Sequence, residues 1–344
     1  MRVYAGMEPR LSLPDVVARA TRVEALGYDG LHVAETVHDA LAVALLVAEH
    51  TERLTVRTSV ALAFIRSPTL VAYAAWDLAK LSGGRFQLGL GTQIRQNIED
   101  RYAVPFGEDP IGRLRDYVGA VRACFDSFAS GEAPDYLSAH YRVTRLQPYF
   151  NPGPDAETVP PPVYLGGVQR RACELAGAVA DGFVSHPTNS NPLYLRETCL
   201  PALIAGATAA GRDLAASGFE TVIGTPVVTG ASANAVAAER ERQRRLLAFL
   251  YSTPAYAPTL ALHGWADVGP RLRALIRQNR WDDLANVLSD EVLDTLVPCA
   301  TFDELPGVLL ERFSGLGQGI VVNPPTDPAD DEGFRAVVAA VREG

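Results

Sequence analysis

Arg85-Phe86-Gln87-Leu88-Gly89-Leu90-Gly91-Thr92-Gln93 is the stretch on which the architecture turns. A short apolar run alternates with glycine, follows a helix-like segment closed by Gly83-Gly84, and ends in a polar turn. Glycine inside a strand admits close approach of another backbone or a flat ligand. Thr92, Gln93 and, just beyond, Asn97 supply hydrogen-bonding groups where the strand gives way to a loop. In parallel α/β proteins that carboxyl end is where ligands sit. The stretch gains weight from its place in a longer alternation. Strand-like runs fall at 1–6, 30–34, 54–62, 86–91, 163–166, 181–185, 220–229 and 318–323. Helical patterns fall at 13–26, 39–50, 68–81, 111–130, 169–178, 192–210, 232–250, 301–313 and 331–342. Pro14 and Gly27 bracket the first helix in the usual start and stop order, and Ser67-Pro68 opens the third. Eight strands alternating with helices is the count of a (β/α)8 TIM barrel. An open doubly wound sheet would place a glycine-rich phosphate turn after its first strand, and Gly6-Met7-Glu8-Pro9-Arg10 is not one.

Bulk composition narrows the function classes. The chain has 344 residues, 48% hydrophobic and 21% charged, a size that one barrel domain accommodates. A formal charge of −9 argues against nucleic acid or an anionic membrane as partner. Lys80 is the only lysine among 31 basic residues, so Schiff-base chemistry and a lysine phosphate clamp are not expected. Any anion site must use arginine or backbone amides. Cys124, Cys173, Cys199 and Cys299 lack metal-ligand spacing and read as small buried residues in a reducing compartment; no metal is expected. The first residues enter a strand pattern at once and no apolar run spans a membrane, so the expectation is a cytoplasmic protein.

Two excursions interrupt the alternation of a single domain over 1–344. Residues 131–162, rich in proline and aromatics, are expected as a β-excursion and loop over the barrel mouth, after strand four. Residues 251–300 are expected as a mostly helical insertion between strands seven and eight. The arginine-dense helix before it (Arg240, Arg242, Arg244, Arg245) reads as a solvated face.

The chain resembles the luciferase-like flavin and deazaflavin oxidoreductases, the (β/α)8 group of bacterial luciferase and the F420-dependent dehydrogenases and reductases. The matching pieces are Leu26-Gly27-Tyr28-Asp29-Gly30, Arg66-Ser67-Pro68, Leu81 to Gly91, Pro162-Val163-Tyr164-Leu165-Gly166-Gly167 and Ala180-Asp181-Gly182, in order from end to end. Ser252-Thr253-Pro254-Ala255-Tyr256 and Leu262-His263-Gly264-Trp265 resemble the insertion of an actinobacterial F420-type branch. The resemblance implies a cofactor plane across the carboxyl ends of the strands, with coenzyme F420 or, alternatively, FMN. Carried over, Thr92, Gln93 and Asn97 contact ring or tail, and Gly166-Gly167 with Gln169 receive the phosphate. A helix start near Gln169 suits that independently, because free amides at a helix N-terminus attract phosphate. The resemblance also implies a non-prolyl cis peptide at or next to Ser59-Val60, backing the ring. A homodimer is the family expectation.

The match fails where the sugar-phosphate dehydrogenases of this family carry an Asp and a proton-donating His after strand two. Here Glu35 and Thr36 stand in their place, Ile94 replaces their second acid, and their phosphate-gripping lysines have no counterpart. Sugar-phosphate oxidation is therefore not expected. Hydride chemistry resides in the cofactor, while a nearby group tunes proton delivery. Glu35 is the first candidate for that group, then His38, then His186 after strand six; His32 reads as a core histidine. Arg95 is a candidate contact for an anion. Phe64, Tyr256 and Trp265, with Tyr149 and Tyr251, are candidates for a greasy lid over the substrate. These readings point to F420-dependent hydride transfer with a hydrophobic C=C, C=N or C=O substrate. An FMN monooxygenase served by a partner reductase, or a silent flavin-binding relative, are the alternatives.

Overall fold

The computed structural model describes residues 1–344. Eight parallel strands form the sheet: β1 (Arg2–Gly6), β2 (Gly30–Val33), β3 (Thr55–Thr58, resuming at Ala61–Leu62), β4 (Phe86–Gly91), β5 (Val163–Gly167), β6 (Gly182–Ser185), β7 (Glu220–Ile223) and β8 (Gly319–Val321). Each pairs with its sequence neighbour, and β1 pairs with β8 (Tyr4 opposite Val321), so the sheet closes into a barrel without edges. Around it lie α1 (Leu13–Ala25), α2 (Ala40–Glu49), α3 (Pro68–Leu81), α4 (Pro110–Ser130), α5 (Arg170–Val179), α6 (Leu200–Ala209), α7 (Ala233–Tyr251), α8 (Leu305–Phe313) and α9 (Asp331–Glu343). Local chemistry sets their starts. The Asp39 carboxylate accepts from the Leu41 amide at 2.8 Å, and the Ser67 hydroxyl accepts from the Leu70 amide at 3.2 Å ahead of Pro68.

Side chains alternate along every strand. Leu31, Val33, Val56, Phe86, Leu88 and Leu165 face the helices and form the main core. The opposite parity fills the barrel. Tyr4, Tyr164, Val184 and Val222 pack there around the fully buried Arg57. The Arg57 guanidinium bonds Glu220 at 2.7 Å, Gln87 at 2.6 Å and the His32 ring at 3.0 Å, and it lies 3.8 Å from the centre of the Tyr164 ring. Glu220 also accepts from the Tyr4 and Tyr164 hydroxyls at 2.8 and 2.7 Å. Burial, with Arg57 alongside, holds His32 well below the usual histidine range, so it is the satisfied core residue expected of it. Large residues fit because glycines face them. A Cβ at Gly182 would lie 2.1 Å from the Tyr164 ring, and one at Gly319 2.6 Å from Tyr4.

Three expectations are corrected. The run 220–229 is not one strand: the chain leaves the barrel after Ile223, and Val228–Gly230 pairs instead with Cys299–Thr301 at the base of the insertion. Residues 131–162 do not cover the mouth. Their hairpin (Tyr136–Leu137 with Arg142–Val143) lies along the outside of α4, where His140 meets Asp116 at 2.7 Å, and Lys80 holds Asp155 at 2.7 Å. The segment follows the helical layer because its polar groups find their partners there. Tyr149, at its tip, is 91% exposed and caps nothing. The insertion is helical as expected and has its own core, built from Leu247, Tyr251, Leu260, Leu272 and Leu293. Of the arginines read as a solvated face, Arg242 and Arg245 are exposed, but Arg240 and Arg244 are mostly covered and tie α7 to the insertion through Asp294 and Asp290. No helix is long and apolar enough to cross a membrane.

Candidate active site at the barrel mouth

The register defines the site. Between Arg57, opposite Gln87, and Ala61, opposite Leu90, three residues of β3 face two of β4. This is a one-residue bulge, and the Thr58 hydroxyl repairs the ladder by bonding both the amide (2.9 Å) and the carbonyl (2.8 Å) of Gly89. The Ser59-Val60 peptide in the bulge is cis, as the resemblance implies. Val60 faces inward: a Cβ at Gly91 would lie 2.6 Å from one of its methyls, and a Cβ at Gly166 2.9 Å from the other. Carrying the inward parity to each strand's end gives one mouth position per strand: Gly6, Ala34, Val60, Gly91, Gly166, His186, Gly224 and Asn323. The result is a flat, nearly bare floor with His186 as its one ionisable side chain.

The parity that brings His186 in turns Glu35 away. Glu35 follows the outward residues Leu31 and Val33, and its side chain is 4% exposed. Both carboxylate oxygens engage Arg66, and one accepts from the Leu62 amide at 2.8 Å. Arg66 also holds Asp39 at 2.6 Å. Contrary to expectation, Glu35 is the anchor that seats the start of α3 on β2. We expect Glu35→Gln to lower the urea midpoint by the equivalent of about 1–3 kcal/mol while leaving the shape of the pH–rate profile unchanged. Loss of one limb of that profile would restore Glu35 as a proton donor. His38 is likewise turned aside: its Nε2 bonds the Leu11 carbonyl at 2.9 Å, tying α2 to the loop after β1.

Other candidates divide between mouth and scaffold. Gln93, at φ +60°, folds back so that its side-chain oxygen accepts from the Ile94 amide, and Thr92 bonds the Gln93 carbonyl. Asn97 opens a wide helical turn (Asn97–Arg101). Arg95 does not reach for a substrate: it ties its own loop through Glu99 (3.0 Å) and the Gly107 carbonyl (2.8 Å), above Phe106. Phe64 is buried between Phe106 and the Arg113 guanidinium, so it is core rather than lid. Trp265 stacks on His263, whose Nε2 meets Asn191 at 3.1 Å. Tyr256 stacks on His186 with ring centres 4.7 Å apart. Tyr251 is buried, with its hydroxyl on the Thr188 carbonyl at 3.1 Å. The insertion is thus pinned to the loop after β6 at three points.

Beside the floor, α5 begins at Arg170 behind Gln169, whose side chain makes no cap. The carbonyls of Gly167 and Val168 are held from behind by the Asn189 amide at 3.1 Å each, and Tyr194 also bonds Val168. A cleft of about 520 Å³ opens here, lined by Gln169, Arg170, Arg171, Tyr194 and Pro258 among others. Its exposed guanidiniums and uncapped helix start suit an anion.

The model of the luciferase-like monooxygenase family matches residues 2–315. The chain belongs to that family. The chain is an enzyme. It is 38% identical to an uncharacterized protein of Mycobacterium tuberculosis over 309 residues, 89% of each chain. It is 27% identical, over 88% of this chain and 87% of the other, to a putative coenzyme F420-dependent oxidoreductase of the same organism. The coenzyme F420 dependent tetrahydromethanopterin reductase from Methanopyrus kandleri superposes with a TM-score of 0.81 at 16% identity, covering 99% of this chain and 98% of that one, which shows a shared fold.

Proposed function

We propose that this family member is a coenzyme F420-dependent oxidoreductase that reduces a hydrophobic organic substrate at the barrel mouth. The observation that carries the reading is the floor itself. Gly6, Gly91, Gly166 and Gly224 put no side chain on the mouth, and Val60 fills the space that a Cβ at Gly91 or Gly166 would need, at 2.6 and 2.9 Å, so the floor is a low, apolar platform suited to a planar ring. When bound, the reduced deazaflavin supplies a hydride. Val60 would back the ring, Ser59, Thr92, Gln93 and Asn97 would border it, and Gly166, Gly167 and Gln169 would meet the phosphate. The adjoining arginine-lined cleft suits an acidic tail. No carboxylate or lysine faces the floor, which disfavours a sugar phosphate and favours an uncharged substrate beside Tyr256.

Fluorescence titration of the purified protein with F420 and with FMN tests this. The expected result is F420 binding at least about tenfold tighter, a difference of about 1.4 kcal/mol. Reduced F420 is then expected to be consumed without oxygen uptake in a screen of ketones, imines and enones. Tighter FMN binding, with oxygen consumed in the presence of a flavin reductase, would replace this reading with a monooxygenase.

A further inference from the structure

The imidazole of His186 is held more tightly than a surface histidine at a helix start would be. The Thr188 amide donates to Nδ1 at 3.3 Å, and the Thr188 hydroxyl lies 2.8 Å from the same atom. An amide can only donate, so Nδ1 is the lone-pair nitrogen and the proton resides on Nε2. The His186 amide is fixed in turn by the Asn189 side-chain oxygen at 2.8 Å. Thr188 is 1% exposed, and Tyr251 clamps its carbonyl from the insertion. Tyr256 covers one face of the ring, with an interplanar angle of 15°. Its hydroxyl is 3.5 Å from Nε2, but in a stacked pair it lies over the imidazole plane rather than along the N–H direction. The Nε2–H is left without an in-line acceptor, on the only ionisable side chain of the floor.

We propose that Thr188 and Tyr256 hold His186 as a neutral Nε2–H donor that polarises the C=O or C=N bond of the substrate. This rests on the hydride-transfer reading and narrows it to substrates with a hydrogen-bond-accepting oxygen or nitrogen. The substrate carbon takes the hydride, two electrons with one proton, from the reduced deazaflavin, which is oxidised. The π pair moves onto the oxygen or nitrogen, where the Nε2–H stabilises it, and water at the half-open mouth supplies the completing proton. A neutral imidazole acts here as an electrophile and need not give up its proton. Burial favours that state, lowering the His186 pKa to about 4. No charged side chain contacts the ring; Tyr256, from the insertion, is the one titratable group packed against it. His186 is thus assigned as a catalytic residue, and Thr188 and Tyr256 as positioning residues.

Histidine-labelled full-length protein, followed by imidazole ¹⁵N NMR and assigned by the signal lost in His186→Gln, tests the arrangement without cofactor. The expected His186 spectrum is that of the Nε2–H tautomer, unchanged from about pH 5.5 to about pH 8, whereas an unperturbed histidine titrates near 6.5. Thr188→Val keeps the amide donor but loses the hydroxyl, the shorter of the two contacts, so a minor Nδ1–H population is expected to appear beside the Nε2–H form and Thr188→Ser to remove it. In turnover with reduced F420 and the carbonyl or imine compound found by the screen, His186→Gln is expected to lower kcat by about 10²–10³, the loss typical of one such donor. F420 affinity should stay within about twofold, under half a kcal/mol. An Nδ1–H tautomer, titration near neutrality, a matching loss of F420 affinity, or a screen with no carbonyl or imine substrate would each overturn the proposal. Absence of F420 binding overturns the hydride-transfer reading and this role with it, and is told apart because the spectrum does not depend on cofactor.

Discussion

Glu220→Ala is expected to lower folding stability by about 3–5 kcal/mol, the cost of stranding a buried charge by removing its partner. Arg57 has no other anion: its remaining partners are Gln87, the neutral His32 and two aromatic faces. It is fully buried, so water cannot replace the carboxylate. The Tyr4 and Tyr164 hydroxyls would lose their acceptor at the same time, each a buried donor left unsatisfied. In the intact protein, burial and the adjacent carboxylate keep both phenols protonated, with the Tyr4 pKa pushed up to about 12. Arg2 gives little compensation, since it is half-exposed and reaches Glu220 at 3.1 Å from the rim. The contrast that makes the test decisive is the double variant Arg57→Met, Glu220→Leu. An apolar pair of similar volume removes the desolvation cost as well as the attraction, so it is expected to recover at least half of the single-variant loss. Urea midpoints of the parent and the two variants measure this. A Glu220→Ala midpoint within the equivalent of about 1 kcal/mol of the parent would show that the barrel interior admits water to Arg57.

That network lay in plain view in the sequence without being legible. Arg57 sits in Thr55-Val56-Arg57-Thr58 and Glu220 in Phe219-Glu220-Thr221, 163 residues apart, and nothing local says that the two charges share one barrel layer. The strands themselves were legible because each buries its outward face under a helix, which forces apolar residues at every second position. The floor was half legible: glycine at 89 and 91 announced close approach, but Val60 as the approaching group, with Gly166 facing it and not only shaping a phosphate turn, required the β3–β4 register. Parity explains the fate of the acid candidates. Counting by twos from Leu31 and Val33 puts Glu35 outside the barrel, whereas counting by twos from Val184 puts His186 inside. Proximity to a strand's end alone had ranked Glu35 first and His186 third. The path of 131–162 depended on partners scattered over α3 and α4, such as Lys80 and Asp116, which composition could not pair.

Gly91→Ala is expected to weaken F420 binding by about 10–100-fold, equivalent to about 1.4–2.7 kcal/mol. The added methyl would stand 2.6 Å from a Val60 methyl, well inside contact distance, so one of the two must yield. On the far side Gly166 offers no slack, because Val60 already fills the space a Cβ would need there. The backbone of Val60 is tied as well, its carbonyl accepting from the Glu35 amide at 3.3 Å. Val60 is therefore expected to ride upward into the plane we propose for the ring, and the size of the effect matches the ~1–3 kcal/mol that overpacking costs. Shortening the obstacle should undo the damage: Val60→Ala in the Gly91→Ala background is expected to bring affinity back to within about threefold, under 1 kcal/mol, of the parent. Gly89→Ala is a different kind of change. Its methyl would meet the Thr58 carbonyl oxygen at 1.8 Å, a backbone atom that no rotamer can move, so folding rather than binding is expected to fail. Titrating F420 fluorescence alongside urea unfolding separates the two outcomes. If Gly91→Ala binds F420 as tightly as the parent at an unchanged urea midpoint, the ring does not rest on Val60 and the floor is only the top layer of the barrel's packing.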